Sequence, residues 1–226
     1  MLPTPHVRCD YDKVYEPSED TFLMLDALEK DQEFLRRFLG DKMNLVSEIG
    51  CGSGMVTTFM MHNRIPNKNA IYLPTDINPW AMESMVDTAS LNKCDQNVLS
   101  PIRMNMAKSL RSGQIDLLVF NPPYVPAESV PTIPTEELSV TGEGKEDAAW
   151  LDLALLGGDD GMVVTWKLLH SLDEFLAPNG IAYVLFCARN KPQEVVKAMQ
   201  LQNWSCELVE YRKAGWEVLS IYKFHR

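Results

Sequence analysis

The chain has 226 residues, of which 46% are hydrophobic and 23% charged, which suits one medium-sized water-soluble unit with a real core. Its formal charge of −10, from 21 basic and 31 acidic residues, argues against a nucleic-acid backbone as the main partner, because such proteins carry basic patches. No run of about 18 apolar residues is present to span a membrane, and residues 1–17 lack the charged-then-apolar order of a secretion signal, so the expectation is a cytoplasmic or nuclear protein.

In chain order, residues 17–39 read as helical. Phe22, Leu25, Leu28, Phe34, Leu35 and Phe38 recur at helical spacing, Ser18 can cap the start and Gly40 the end. Residues 44–49 predict a strand, followed by the glycine turn Gly50-Cys51-Gly52-Ser53-Gly54 and a helix over 55–63. A second strand is predicted over 70–75, ending at Asp76, and a helix over 79–92 with Pro79 in its first turn. Residues 98–104 read as a third strand. Pro101 lies inside it and cannot donate to a ladder, which assigns it to a sheet edge. The apolar run 115–120 reads as a strand buried on both faces. A long loop follows over 125–148, rich in Pro, Glu, Thr and Gly. Then come a helix over 163–176, a turn at 178–180, a buried strand over 181–188 and a helix over 192–201. Two closing strands, 204–211 and 217–224, flank a loop at 212–215. Alternating strand and helix implies a mostly parallel sheet covered on both faces. With a C-terminal antiparallel hairpin, the arrangement is the seven-stranded, Rossmann-like class I methyltransferase form of the α/β doubly wound fold. The whole chain, 1–226, reads as one domain, with residues 1–40 as a helical cap and 125–148 as a loop on the substrate side.

Ligands of such sheets bind beyond the carboxyl ends of the strands. There the sequence places Glu48-Ile-Gly50-Cys-Gly52-Ser-Gly54. This is not the G-x-G-x-x-G spacing that holds a pyrophosphate. Tight glycines with an acidic residue at the strand end suit a ligand without phosphate, and the methionyl part of S-adenosylmethionine fits that description. Asp76 ends the next strand, where a carboxylate can accept from both ribose hydroxyls. Asn105 and Met106 end the third, able to meet an adenine edge and cover its face. Each residue alone reads as strand-end turn chemistry. Together, at successive strand ends, they read as a cofactor site.

Asn121-Pro122-Pro123-Tyr124 follows the fourth strand. An amide nitrogen, or the exocyclic amine of adenine, is a poor nucleophile because its lone pair is delocalised. Two fixed acceptors aimed at its N–H bonds favour the geometry in which the lone pair points outward. The Asn121 side-chain oxygen and the Pro122 carbonyl can be those acceptors. The two prolines stiffen the turn, and Tyr124 can stack on the planar group. The five cysteines and four histidines show no C-x-x-C or H-x-x-x-H spacing, so neither a metal site nor a disulfide framework is expected in this chain.

At these residues the chain resembles the HemK-type protein glutamine methyltransferases. Val14-Tyr15-Glu16-Pro17-Ser18-Glu19-Asp20-Thr21-Phe22 is similar to the Y-E-P-A-E-D-T-F segment of the eukaryotic branch. Residues 75–79 and 118–126 are also similar, and so is Arg212-Lys213-Ala214-Gly215-Trp216-Glu217, in a fungal-like form. The resemblance implies methylation of the glutamine in the Gly-Gly-Gln motif of the eukaryotic class I release factor, with S-adenosylhomocysteine as by-product. It implies a small zinc-binding activator protein paired to an edge strand, for which 98–104 offers a place, and a release factor accompanied by its GTPase. It also implies a cofactor site lined by Tyr15, Thr21, Glu48, Gly50, Gly52, Asp76, Ile77, Asn105, Met106 and Asn121. Asn121, Pro122 and Tyr124 would be catalytic, and Asn121 through Tyr124 would hold the substrate. Asn105-Met106 departs from the Asp-Leu pair of many relatives, and the loop after Val125 is larger than in many of them. Three other readings stand beside this one. They are an adenine methyltransferase acting on DNA or RNA, a protein lysine methyltransferase, and a scaffold that binds the cofactor without catalysis.

Overall fold

The computed structural model describes residues 1–134 and 145–226. The predicted helix at 17–39 is two helices, α1 (Glu19–Lys30) and α2 (Gln32–Leu39). The break falls at Asp31, whose carboxylate accepts from the Tyr183 hydroxyl and from Lys223 Nζ, both at 2.9 Å. Strand β1 (Asn44–Ile49) and helix α3 (Met55–Asn63) stand as expected. The predicted strand at 70–75 splits into β2 (Ala70–Tyr72) and β3 (Thr75–Asp76), because Pro74 between them has no N–H for the ladder. Helix α4 (Pro79–Leu91) is capped by Asn78 Oδ1, which accepts from Trp80 N–H at 3.0 Å.

The predicted strand at 98–104 shrinks to β4 (Ile102–Arg103). Residues Gln96–Val98 form a 3-10 turn under an Asp95 cap, Leu99 makes an isolated parallel bridge to Tyr72, and Pro101 interrupts the pairing. Among the described residues strand β4 pairs with β3 alone and is the sheet edge that Pro101 implied. Strand β5 (Ile115–Phe120) is buried at every position.

The loop expected at 125–148 is partly ordered structure. Strand β6 (Val125–Pro126) pairs in parallel with β7 (Leu156–Gly158), and helix α5 (Lys145–Leu155) begins inside the expected loop. Residues 135–144 of that expectation lie outside the described residues. The helix expected at 163–176 is α6 (Val163–Leu169) and α7 (Leu172–Phe175). Between them Ser171 N–H closes a tight turn on Leu168 O at 2.8 Å.

Strand β8 (Leu176–Cys187) takes in the expected turn at 178–180 as an irregularity in its pairing with β5. Helix α8 (Pro192–Gln200) leads to the hairpin β9 (Ser205–Ala214) and β10 (Glu217–His225). The hairpin turn is Gly215-Trp216, because the ladder continues through Arg212 and Lys213, which the sequence assigned to the loop.

The sheet order is β4-β3-β1-β5-β8-β10-β9, with β2 pairing to β1 in the same lane as β3. The result is seven lanes, parallel except for β10 against both β8 and β9. Side chains alternate across the sheet. Val46, Leu117, Val119, Tyr183, Leu185 and Ile221 face α1, α2 and α3. Leu118, Phe120, Val184, Phe186 and Phe224 face α6, α7 and α8. Each such fully buried side chain contributes about 1.5–3 kcal/mol of hydrophobic stabilisation. Both faces are therefore anchored, and the strand ends Ile49, Asp76 and Phe120 are fixed beside one another. Among the described residues no helix is long and apolar enough to cross a membrane.

Candidate active site

A cleft of about 890 Å³ opens beyond the carboxyl ends of β1, β3, β4 and β5, a volume in the range of small-molecule sites. All of the predicted residues line it: Tyr15, Thr21, Glu48, Gly50, Gly52, Asp76, Ile77, Asn105, Met106 and the run Asn121 through Tyr124.

Glu48 is buried at the end of β1. Its Oε2 accepts from the Thr57 backbone N–H at 2.8 Å and from the Thr57 hydroxyl. Burial pushes the carboxyl up to about 8, against the pull of the Thr57 bonds and with some help from Asp76. Gly50 through Ser53 line the cleft, and the turn is held by its own amides, Gly52 N–H on Asp76, Cys51 N–H on Thr75 O and Gly54 N–H on Cys51 O. Gly54 has φ 79°, and a Cβ there would sit 2.8 Å from the Met85 Cα, so this position holds α3 and α4 together. Asp76 Oδ2 accepts from Gly52 N–H and Oδ1 from Asn78 N–H, each at 2.9 Å. Burial raises its carboxyl while those bonds lower it. Each oxygen retains lone-pair capacity for a further donor. Asn105 reaches the cleft from an exposed position. Met106 holds φ 56°, an uncommon conformation for a residue with a side chain, of the kind that marks functional sites.

At the end of β5, Asn121 Nδ2 donates to Asp20 Oδ2 at 3.0 Å. A carboxylate only accepts, so this bond fixes the Asn121 amide with its nitrogen toward Asp20 and its oxygen turned away from it. Asn121 Oδ1 is buried with no hydrogen-bond partner among the described residues. An unpartnered buried acceptor is costly, and this one sits on a residue that lines the cleft. The Tyr124 hydroxyl donates to Glu217 Oε2 at 3.1 Å, which tethers the ring. Burial and the nearby Asp20 and Glu217 carboxylates push the Tyr124 phenol up, and burial with Asp20 does the same to Tyr15. Both phenols therefore remain donors.

Several supporting residues were not singled out from sequence. Asp20 lies within the segment that carries the family resemblance, but only the fold brings it to Asn121. Asn190 Nδ2 donates to Tyr124 O at 3.1 Å and to Asp160 O at 2.9 Å. Gly161 packs so tightly under the turn that a Cβ would lie 1.9 Å from Tyr124 O, and at Gly157 one would lie 2.3 Å from Pro123 O. The Gly157-Gly158-Asp159-Asp160-Gly161 run was a readable signal, since clustered glycines mark close backbone approach. Trp150 Nε1, also on the cleft, is a buried donor without a partner among the described residues. No group of three or more His, Cys, Asp or Glu side chains suited to a metal occurs among the described residues.

The chain is similar in sequence and in fold to known methyltransferases. The profile of the Methyltransferase small domain family matches residues 21–138. The chain is 36% identical to the eRF1 methyltransferase catalytic subunit mtq2 of Schizosaccharomyces pombe, over 96% of this chain and 91% of that one. It is 36% identical to Methyltransferase HEMK2 of Mus musculus, over 100% of this chain and 97% of that one. Among solved structures it is similar to the E. cuniculi Mtq2–Trm112 complex, responsible for methylation of the eRF1 translation termination factor. The TM-score is 0.63 at 25% identity, over 95% of this chain and 99% of that chain.

Proposed function

The chain belongs to the methyltransferase small domain family, and from that premise we propose that it methylates the side-chain amide nitrogen of the Gly-Gly-Gln glutamine in the eukaryotic class I release factor, using S-adenosylmethionine and leaving S-adenosylhomocysteine. The observation that carries the chemistry is the buried, unpartnered Asn121 Oδ1, held in that orientation by Asp20. The names of the S. pombe and E. cuniculi relatives support the choice of substrate.

The residues present fit the cofactor. The glycine turn that lines the cleft, the Asp76 carboxylate and the buried Glu48 suit a ligand with an amino group and ribose hydroxyls and no phosphate. Met106 and Asn105 suit its base, and Tyr15 and Thr21 line the same side from the N-terminal segment. When bound, S-adenosylmethionine supplies a methyl group on a cationic sulfonium, which departs as a neutral thioether. The remaining work falls to the chain. Asn121 Oδ1 and the Pro122 carbonyl hold the two N–H bonds of the amide, Pro123 stiffens the turn, and the tethered Tyr124 ring aligns the amide plane. Catalysis is then mainly positioning. The nitrogen loses one proton to solvent after transfer, so no base is needed beforehand.

In this reading residues 1–40 cap the cofactor half, and residues 125–148 lie on the substrate side of a single domain. The short edge strand β4 receives a small zinc-binding activator of the Trm112 kind by strand addition. The release factor is presented with its GTPase, which puts the reaction in the cytoplasm. The test is labelled methyl transfer by this chain with its activator, to intact release factor and to a variant lacking the Gly-Gly-Gln glutamine. Label on the first alone is expected. Label on both, or on neither, overturns the assignment. Label on adenine-containing nucleic acid instead would favour the alternative amine substrate, which presents the same pair of N–H bonds.

A further inference from the structure

The N-terminal segment reaches the cleft as a nearly bare strap. Before α1 it has one short turn, where Val14 N–H donates to Asp10 O at 3.0 Å. Among the described residues it pairs with no strand. Instead, three side chains of the α4 region bond its backbone in sequence. Asn92 Oδ1 accepts from His6 N–H at 2.9 Å, and its Nδ2 donates to His6 O at 2.7 Å. Thr88 Oγ1 accepts from Arg8 N–H at 3.1 Å. Asn78 Nδ2 donates to Lys13 O at 2.8 Å. Thr88 and Asn92 lie four residues apart, one turn along the same helix face. An asparagine amide carries the donor and acceptor of a peptide group, so this row of side chains stands in for a neighbouring strand. Lys13 Nζ also sits 4.3 Å from the Trp80 ring centroid.

The bonds end where the strap enters the cleft. Val14, next after Lys13, is 1% exposed, and both Val14 and Tyr15 line the site. Asn78 belongs to both systems, because its backbone N–H donates to Asp76 Oδ1. An extended segment of this kind would otherwise sample many conformations, and ordering it costs entropy. Thr88 is fully buried, yet neither it nor Asn92 lines the cleft.

We propose that Asn78, Thr88 and Asn92 are positioning residues, forming a polar ladder on α4 that holds the strap in the conformation competent to bind cofactor. This rests on the reading of the cleft as an S-adenosylmethionine site. The ladder acts on the competent fraction, and apparent affinity falls in proportion to that fraction. Its signature is weaker cofactor binding with unchanged turnover at saturation.

The experiment is calorimetric titration of the full chain with S-adenosylmethionine, together with methyl-transfer kinetics and thermal unfolding with and without cofactor. The variants are Thr88→Val with Asn92→Ala, and Thr88→Ser as the conservative control. The double variant is expected to raise Kd and the cofactor KM about tenfold, from the loss of three hydrogen bonds, with kcat within about twofold. Its cofactor-free unfolding midpoint should fall by a few degrees, the stability that a tenfold loss of strap docking represents, and the rise on adding cofactor should shrink as well. Thr88→Ser should behave as wild type. Unchanged Kd in the double variant would overturn the proposal. So would a lower cofactor-free midpoint with the cofactor-induced rise intact, which marks a purely structural role. If the wild-type chain fails to bind S-adenosylmethionine, the reading of the cleft falls, and the ladder with it.

Discussion

The two halves of the cleft are fixed over different distances along the chain. In the half at the ends of β1 and β3, Thr57 bonds Glu48 nine residues away, and Gly52 bonds Asp76 at a separation of 24. In the half at the end of β5, Asn121 is oriented by Asp20 at a separation of 101. There Tyr124 is tethered by Glu217 at 93 and by Asn190 at 66. The carboxylates of the first half are set within neighbouring strand–helix units, and only its strap arrives from far along the chain. The second exists only once the N-terminal helix and the C-terminal hairpin have closed onto the sheet. Cofactor binding and amide orientation should therefore fail separately.

The largest separation is expected at Asn121. Asn121→Ala removes the fixed acceptor and leaves the glycine turn, Glu48 and Asp76 in place. Turnover should fall by about 10²–10³-fold or more, the scale for losing one preorganised polar group at a reacting centre. Calorimetric affinity for S-adenosylmethionine should stay within about threefold. Near-normal turnover would remove Asn121 from the chemistry. A matching loss of affinity would mean that the two halves are one unit.

Asp20→Asn tests the same division at one remove. The substitution keeps shape but adds an N–H donor, so the Asn121 amide can turn over and present nitrogen to the cleft. The expected loss in kcat is about ten- to hundredfold, the range for a hydrogen bond involving a charged group, with the cofactor KM little changed. Unaltered kcat would show that the Pro122 and Tyr124 environment orients Asn121 without Asp20.

This division also explains what the sequence disclosed. The glycine turn, Asp76, Asn105-Met106 and Asn121 through Tyr124 are strand-end motifs, legible because each follows a periodic apolar run. The mostly parallel sheet and the C-terminal hairpin follow from the same alternation, whereas the lane order does not. The supports of Asn121 and Tyr124 were not legible as supports, because no local pattern ties residue 20 to residue 121 or residue 217 to residue 124. Boundaries moved where a single residue overrode periodicity. Pro74 split one strand, Pro101 shortened another, and Asp31 broke a helix to meet Tyr183 and Lys223. Composition hid the β6–β7 pair, since two-residue Val125–Pro126 is too short for an alternation to register.

The smallest expected effect concerns Glu48, and it sharpens the account of the cofactor half. Burial lifts this carboxyl from its ordinary 4.5 to about 8, so at pH 7 without cofactor it is mostly protonated. Because the folded value is raised, the stability it contributes is fully present below about pH 4.5 and is lost as pH rises through about 8. A cationic amino group bound beside it favours the carboxylate. Binding should then release a proton at pH 7, and affinity should rise between about pH 6 and 8. That rise is on the order of tenfold for each unit by which the cation lowers the carboxyl. Glu48→Gln should bind more weakly, with a flatter pH dependence and close to zero proton release. It should also lose less stability on going to pH 8 than the wild type. Titrations in two buffers of different ionisation heat count the released protons directly. Equal counts in wild type and Glu48→Gln would mean that Glu48 serves only to fix Thr57 and α3, and that the loop carbonyls alone receive the amino group.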